Sequence, residues 1–123
     1  MPIIHAPEEA THDIGAARFT SLATPSRGST ETSVWQVEIE AGAPGAPHSL
    51  TREEVFVVLD GTASVRIGTV TDLAHAGDAI VVPADTEFEL SNGGDVVLRV
   101  LCCFPVGGQA RLDGATFTPP WAE

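Results

Sequence analysis

The chain has 123 residues, 43% of them hydrophobic, enough for the core of one domain and too apolar for a disordered segment. Its 17 acidic residues stand against 6 arginines and no lysine, a formal net charge of -11, so the positive clusters that bind nucleic acid or anionic membranes are missing. No apolar run is long enough to span a bilayer, and Met1 to Ala10 carries His5, Glu8 and Glu9 where a signal peptide needs positive charge and then apolar residues; the expected location is the cytoplasm.

Residues 1 to about 30 read as an irregular lead-in, because Pro7, Gly15, Pro25 and Gly28 interrupt any period. From Val34 the pattern turns to strand. Trp35, Val37 and Ile39 alternate with Gln36, Glu38 and Glu40, the period-2 signature of a sheet with one buried face. Ala41 to Pro47 holds two glycines and two prolines and is a loop. Val55 to Leu59 is apolar and β-branched, and Asp60-Gly61 before Ala63 to Ile67 is a hairpin signal. After a turn around Gly68 come Val70 to Leu73, a second turn at Ala76-Gly77-Asp78, and the short strand Ala79 to Val82, stopped by Pro83. Glu87-Phe88-Glu89-Leu90 alternates, which turns Phe88 inward and the two acids to water. Ser91 to Asp95 is a turn into the long strand Val96 to Phe104, and the tail from Gly107 to Glu123 is expected to be irregular and packed on the outside.

Six or more short strands separated by Gly, Asp, Asn and Pro turns, with no helical period, predict an all-β sandwich or barrel in a single domain. On the last strand Arg99 is expected to face solvent, which puts Leu98, Val100 and Cys102 inside and Cys103 outside. Cys102 and Cys103 are the only cysteines, and as strand neighbours they point to opposite faces, so they read as reduced thiols.

Gly42, five residues, His48, one residue, Leu50, three residues, Glu54, six residues and Gly61 form a spacing that resembles the first motif of the cupin family. Gly77, Pro83 and Asn92 resemble the anchors of its second motif. The resemblance covers roughly residues 34 to 104 and implies a jelly-roll β-barrel. In intact cupin motifs a second histidine stands at the position of Leu50 and a further histidine at that of Phe88, and these bind a metal with His48 and Glu54. Asp85 stands in place of the second motif's internal glycine.

The scaffold is therefore kept while half of the family's metal ligands are replaced by apolar residues. The expected function is small-molecule binding in the barrel, without an intact metal site. The pocket would lie near Leu50, Phe56, Phe88 and Cys102, with His48 and Glu54 as polar anchors. It would serve a sensor, or a metal-free isomerase or cyclase in which Glu54 or His48 is the general base, since a carboxylate in an apolar site has its pKa raised toward neutrality. The alternative is a metalloenzyme of dioxygenase or isomerase type, binding Zn, Fe, Mn or Ni through His48, Glu54 and an unusual third ligand such as Cys102. A third expectation is a purely structural role, with the interior filled by side chains. His5, His12 and His75 are expected at the surface, away from any site. The resemblance also implies a homodimer, built by sheet packing or exchange of N-terminal strands.

Overall fold

The computed structural model describes residues 3–123, and no helix among them is long and apolar enough to cross a membrane. The strands are β1 (His12–Ile14), β2 (Ala17–Ala23), β3 (Thr32–Ile39), β4 (Ser49–Leu50), β5 (Glu54–Asp60), β6 (Thr62–Ile67), β7 (Val70–His75), β8 (Ala79–Val82), β9 (Phe88–Asn92), β10 (Leu98–Pro105), β11 (Ala110–Leu112) and β12 (Ala115–Phe117). They form a six-stranded sheet in the order β1-β2-β3-β10-β5-β8, a three-stranded sheet β7-β6-β9, and a small sheet β12-β11-β4. All the pairings are antiparallel, and the architecture is a jelly roll.

The alternation read from β3 and β10 sets the core. Trp35 and Val37 of β3 are buried, as are Leu98, Val100, Cys102 and Phe104 of β10. The register places Trp35 across from Cys102, and Cys102 across from Phe56 of β5, so one inward row crosses the large sheet. Val65 and Ala74 from the smaller sheet, and Leu50 and Ala110 from the smallest, join the same apolar cluster. Burying such rows is the main favourable term in the fold.

The motif anchors have structural reasons. Gly61 sits at φ +85, and a Cβ there would lie 2.9 Å from the Val97 carbonyl oxygen, so both backbone conformation and space require glycine. The Asn92 side-chain amide donates to the Ile39 and Val96 carbonyls at 3.0 and 2.7 Å, and its oxygen accepts from the Gly94 N–H. That side chain ties the turn before β10 to the end of β3.

Three expectations about elements need correction. Asp60-Gly61 turns the chain but makes no hairpin: β5 pairs with β10 and β8, whereas β6 pairs with β7 and β9, so the turn carries the chain from one sheet to the other. The lead-in is not wholly irregular, since β1 and β2 add two strands to the large sheet, with Phe19 of β2 across from Val37. The tail is not irregular either. It forms a hairpin whose turn, Asp113-Gly114, has positive φ at both residues (50 and 81), the geometry of a two-residue type I′ loop. Trp121 then stacks on Phe19 with ring centroids 3.7 Å apart, and Ala122 is buried in the core.

Candidate functional site

Glu54 begins β5 on the same face as Phe56 and Val58, and that face is buried. The ladder sets it beside Val82 of β8, with Cys102 across from Phe56 on the other side. The carboxyl therefore enters an apolar wall, and the residue is only 4% exposed. No hydrogen bond or ion pair to its side chain exists among the described residues. The one fully enclosed side-chain polar atom without a partner among them is Ser29 Oγ, so the Glu54 carboxyl keeps a trace of contact with solvent. Loss of water around the charged form pushes its pKa from 4.5 up to about 8, and at neutral pH the group is a carboxylic acid, able to donate a hydrogen bond.

Cys102 is 1% exposed, and burial, then the Glu54 charge, then Cys103 push its thiol well above the ordinary value. Cys103 points outward and is half-buried, and its thiol is raised first by burial and then by Glu54. The two cysteines lie on opposite faces as their positions predict.

His48 precedes β4 and pairs with Phe88 through two backbone hydrogen bonds, at 3.0 and 2.9 Å. The pairing lays its imidazole against the Phe88 ring, with centroids 4.4 Å apart. His48 Nδ1 lies 2.7 Å from the Ala46 carbonyl oxygen, which only accepts, so Nδ1 carries a proton, and in the neutral form of the ring Nε2 is an acceptor. Phe88 also tilts against Phe56 at 5.8 Å. Leu50 and Phe88 are 2% and 1% exposed, and with Phe56 they are packed side chains of the core cluster. His48 and Glu54, expected as joint anchors, share no hydrogen bond or ion pair. His5, His12 and His75 stand apart: His12 lies edge-on to Trp121, and His75 lies near Asp78 at the surface.

The donors of the metal alternative are not gathered into one group. Among the described residues no three His, Cys, Asp or Glu side chains form a group that could hold a metal ion, so His48, Glu54 and Cys102 are not such a set.

Two clefts open at the surface. One of about 470 Å³ lies between the β6–β7 hairpin and β8, and is lined by Val65, Ile67, Val70, Leu73, Ile80 and Val81. The other, of about 360 Å³, lies at the mouth, where His48, Ser49 and Glu87 face Arg111, Leu112 and Asp113 of the tail hairpin. Arg111 forms an ion pair with Asp85, and Asp85 also donates its N–H to the Leu50 carbonyl at 2.8 Å. Asp85 has φ +60, so the residue in the family's glycine position keeps the left-handed conformation glycine would supply. Neither Arg111 nor Asp113 is among the expected site residues. The Asp113-Gly114 dipeptide was the signal that could have found them, because it is a hairpin turn that folds the tail back on the mouth.

The family pattern described as the cupin domain matches residues 35–104, more than half of the chain. The chain belongs to the cupin family. A protein of Methanocaldococcus jannaschii, itself uncharacterized, is 32% identical to this cupin over 53 residues, which are 43% of this chain and 42% of that protein. Among solved structures, Lactobacillus farciminis oxalate decarboxylase, in a formate complex, is 25% identical with a TM-score of 0.65, over 76% of this chain and 30% of that one. An RmlC-like cupin from Shewanella frigidimarina is 19% identical with a TM-score of 0.65, over 81% of this chain and 92% of that one. This cupin thus spans under half of the curated relative and about a third of the decarboxylase.

Proposed function

We propose that this cupin binds a small molecule in the barrel interior, without a metal, and presents Glu54 to it as a protonated carboxyl. The observation that carries the reading is the unpartnered Glu54 side chain in a wall otherwise built of Leu, Val and Phe. Buried polar groups are nearly always hydrogen-bonded, and one left without a partner costs about 1–3 kcal/mol. A ligand that brings an acceptor to Glu54 supplies the missing partner.

The chemistry that suits such a group is proton transfer. A general acid or base works best with a pKa near the working pH, and Glu54 at about 8 is close to that condition. An isomerisation or cyclisation needing one proton delivered or removed fits this site, as does a sensor that reports occupancy. The close packing of Leu50, Phe56 and Phe88 makes them the wall that shields Glu54 from most of the solvent. They are not the lining of a wide pocket.

The test is a thermal-shift screen of small neutral hydrogen-bond acceptors (amides, ketones and lactones) against the native protein and Glu54→Leu, below the pH at which Glu54 ionises. Compounds that stabilise the native protein and not the variant would support the reading. A folded Glu54→Leu protein more stable than native, with no compound distinguishing the two, would reduce Glu54 to a core residue that holds water.

A further inference from the structure

The mouth cleft is a second candidate site, distinct from the Glu54 wall. Its polar groups differ in what they have left to offer. Arg111, its one positive group, is engaged by Asp85. Glu87 accepts a hydrogen bond from Arg66 at 3.1 Å. His48 lines the cleft with Nδ1 committed to the Ala46 carbonyl, which leaves Nε2 as the ring nitrogen without a partner among the described residues. Asp113 has no hydrogen bond or ion pair at its carboxylate among the described residues. The capacity that remains is therefore dominated by acceptors, and the local charge is negative: Glu87, Asp85 and Asp113 against Arg66 and Arg111.

We propose that this cleft binds a small organic ammonium, with the Asp113 carboxylate and His48 Nε2 as its acceptors. An ammonium has donors and no acceptor, so it complements these two groups, and a carboxylate ligand would meet repulsion at Asp113 instead. About 360 Å³ accommodates a short alkylamine, and Pro47 and Leu112 give its carbon chain an apolar wall. The whole-chain charge of -11 draws cations toward the surface and speeds their encounter.

The experiment follows amide NMR spectra of the full chain during titration with n-butylammonium, and with 1-butanol and butyrate at equal ionic strength. Expected are saturable shifts confined to Ala46–Ser49 and Arg111–Asp113 with the ammonium alone. Asp113→Asn should weaken binding about tenfold, and asparagine tolerates the positive φ of that position, so the hairpin survives. His48→Phe, which keeps a ring against Phe88 while removing Nε2, should weaken it as well. Asp95→Asn, in the turn before β10, should not. Shifts spread over the acidic surface and equal in all variants, absence of saturable shifts, or a response to butyrate in place of the ammonium would each overturn the proposal. None of those outcomes touches the interior reading, because none of these substitutions replaces Glu54 or a residue of its wall.

Discussion

The wall around Glu54 and the mouth around His48 come from one motif and end in opposite surroundings. At the wall a titratable group is buried among apolar side chains with nothing to bond, and it answers by keeping its proton. At the mouth His48 is half-buried, has one ring nitrogen engaged, and lines a cleft with charged rims. Phe88 touches both regions, with its ring centroid 4.4 Å from that of the His48 imidazole and 5.8 Å from that of Phe56, which shares the inward face of Glu54. Where intact cupins place a histidine that joins these positions into one metal centre, this chain has an aromatic ring. The same scaffold then holds a buried acid and, apart from it, an open cleft.

The largest expected effect comes from removing that ring. Phe88→Ala deletes a 1% exposed ring and should cost about 3–5 kcal/mol in urea unfolding. It should also let water toward Glu54 and bring its pKa down from about 8 toward 4.5, read by carboxyl NMR titration. A variant destabilised as expected but with Glu54 still titrating near 8 would show that the wall alone, without Phe88, shields the acid.

The next effect sharpens the wall's side of the comparison. The folded-state pKa of Glu54 is raised above its unfolded value, so between about 4.5 and about 8 the folded chain binds the extra proton. The stability that this proton contributes is present in full below the window, falls as pH rises through it, and is gone above it. The difference is of the order of a few kcal/mol at most. Glu54→Gln should match the native protein in the acid, exceed it in stability above about pH 8, and show a flatter pH profile in thermal melts. Parallel profiles for the two proteins would mean that Glu54 ionises freely in the fold.

Much of this was legible in the chain. Alternation at Trp35–Ile39 and around Phe88 named the inward faces correctly, because a two-residue period is a local property that burial on one side enforces. The inward set Leu50, Glu54, Phe56, Phe88 and Cys102 followed from the same rule together with the motif spacing. What escaped was non-local. Asp60-Gly61 signals a turn, but no local rule says that its two strands join different sheets. β2 carries Ala17, Phe19 and Ser21 on its inner face, and so small a set hides the period. The absence of a partner for Glu54, and the meeting of His48 with Arg111 and Asp113, depend on which elements the fold brings together.

The smallest expected effect tests how far the mouth depends on its ion pair. Asp85→Gly restores the residue the family pattern favours and relieves an L-residue held at φ +60, a strain of roughly 1 kcal/mol. It also removes the partner of Arg111. With side chains 47% and 66% exposed, that pair is worth about 0–1 kcal/mol. Glycine further loosens the unfolded chain, at about 0.4–1 kcal/mol. The three contributions nearly cancel, and the N–H bond to the Leu50 carbonyl survives, so the urea midpoint should move by less than about 1 kcal/mol equivalent. What changes is the cleft, where Arg111 becomes free to bond an acceptor and the acceptor-rich character is lost. If instead the variant lost more than about 2 kcal/mol, the Arg111–Asp85 pair would be the clasp that holds the tail hairpin over the mouth, and the stability of the cleft would rest on charge more than on the short β4–β11 ladder.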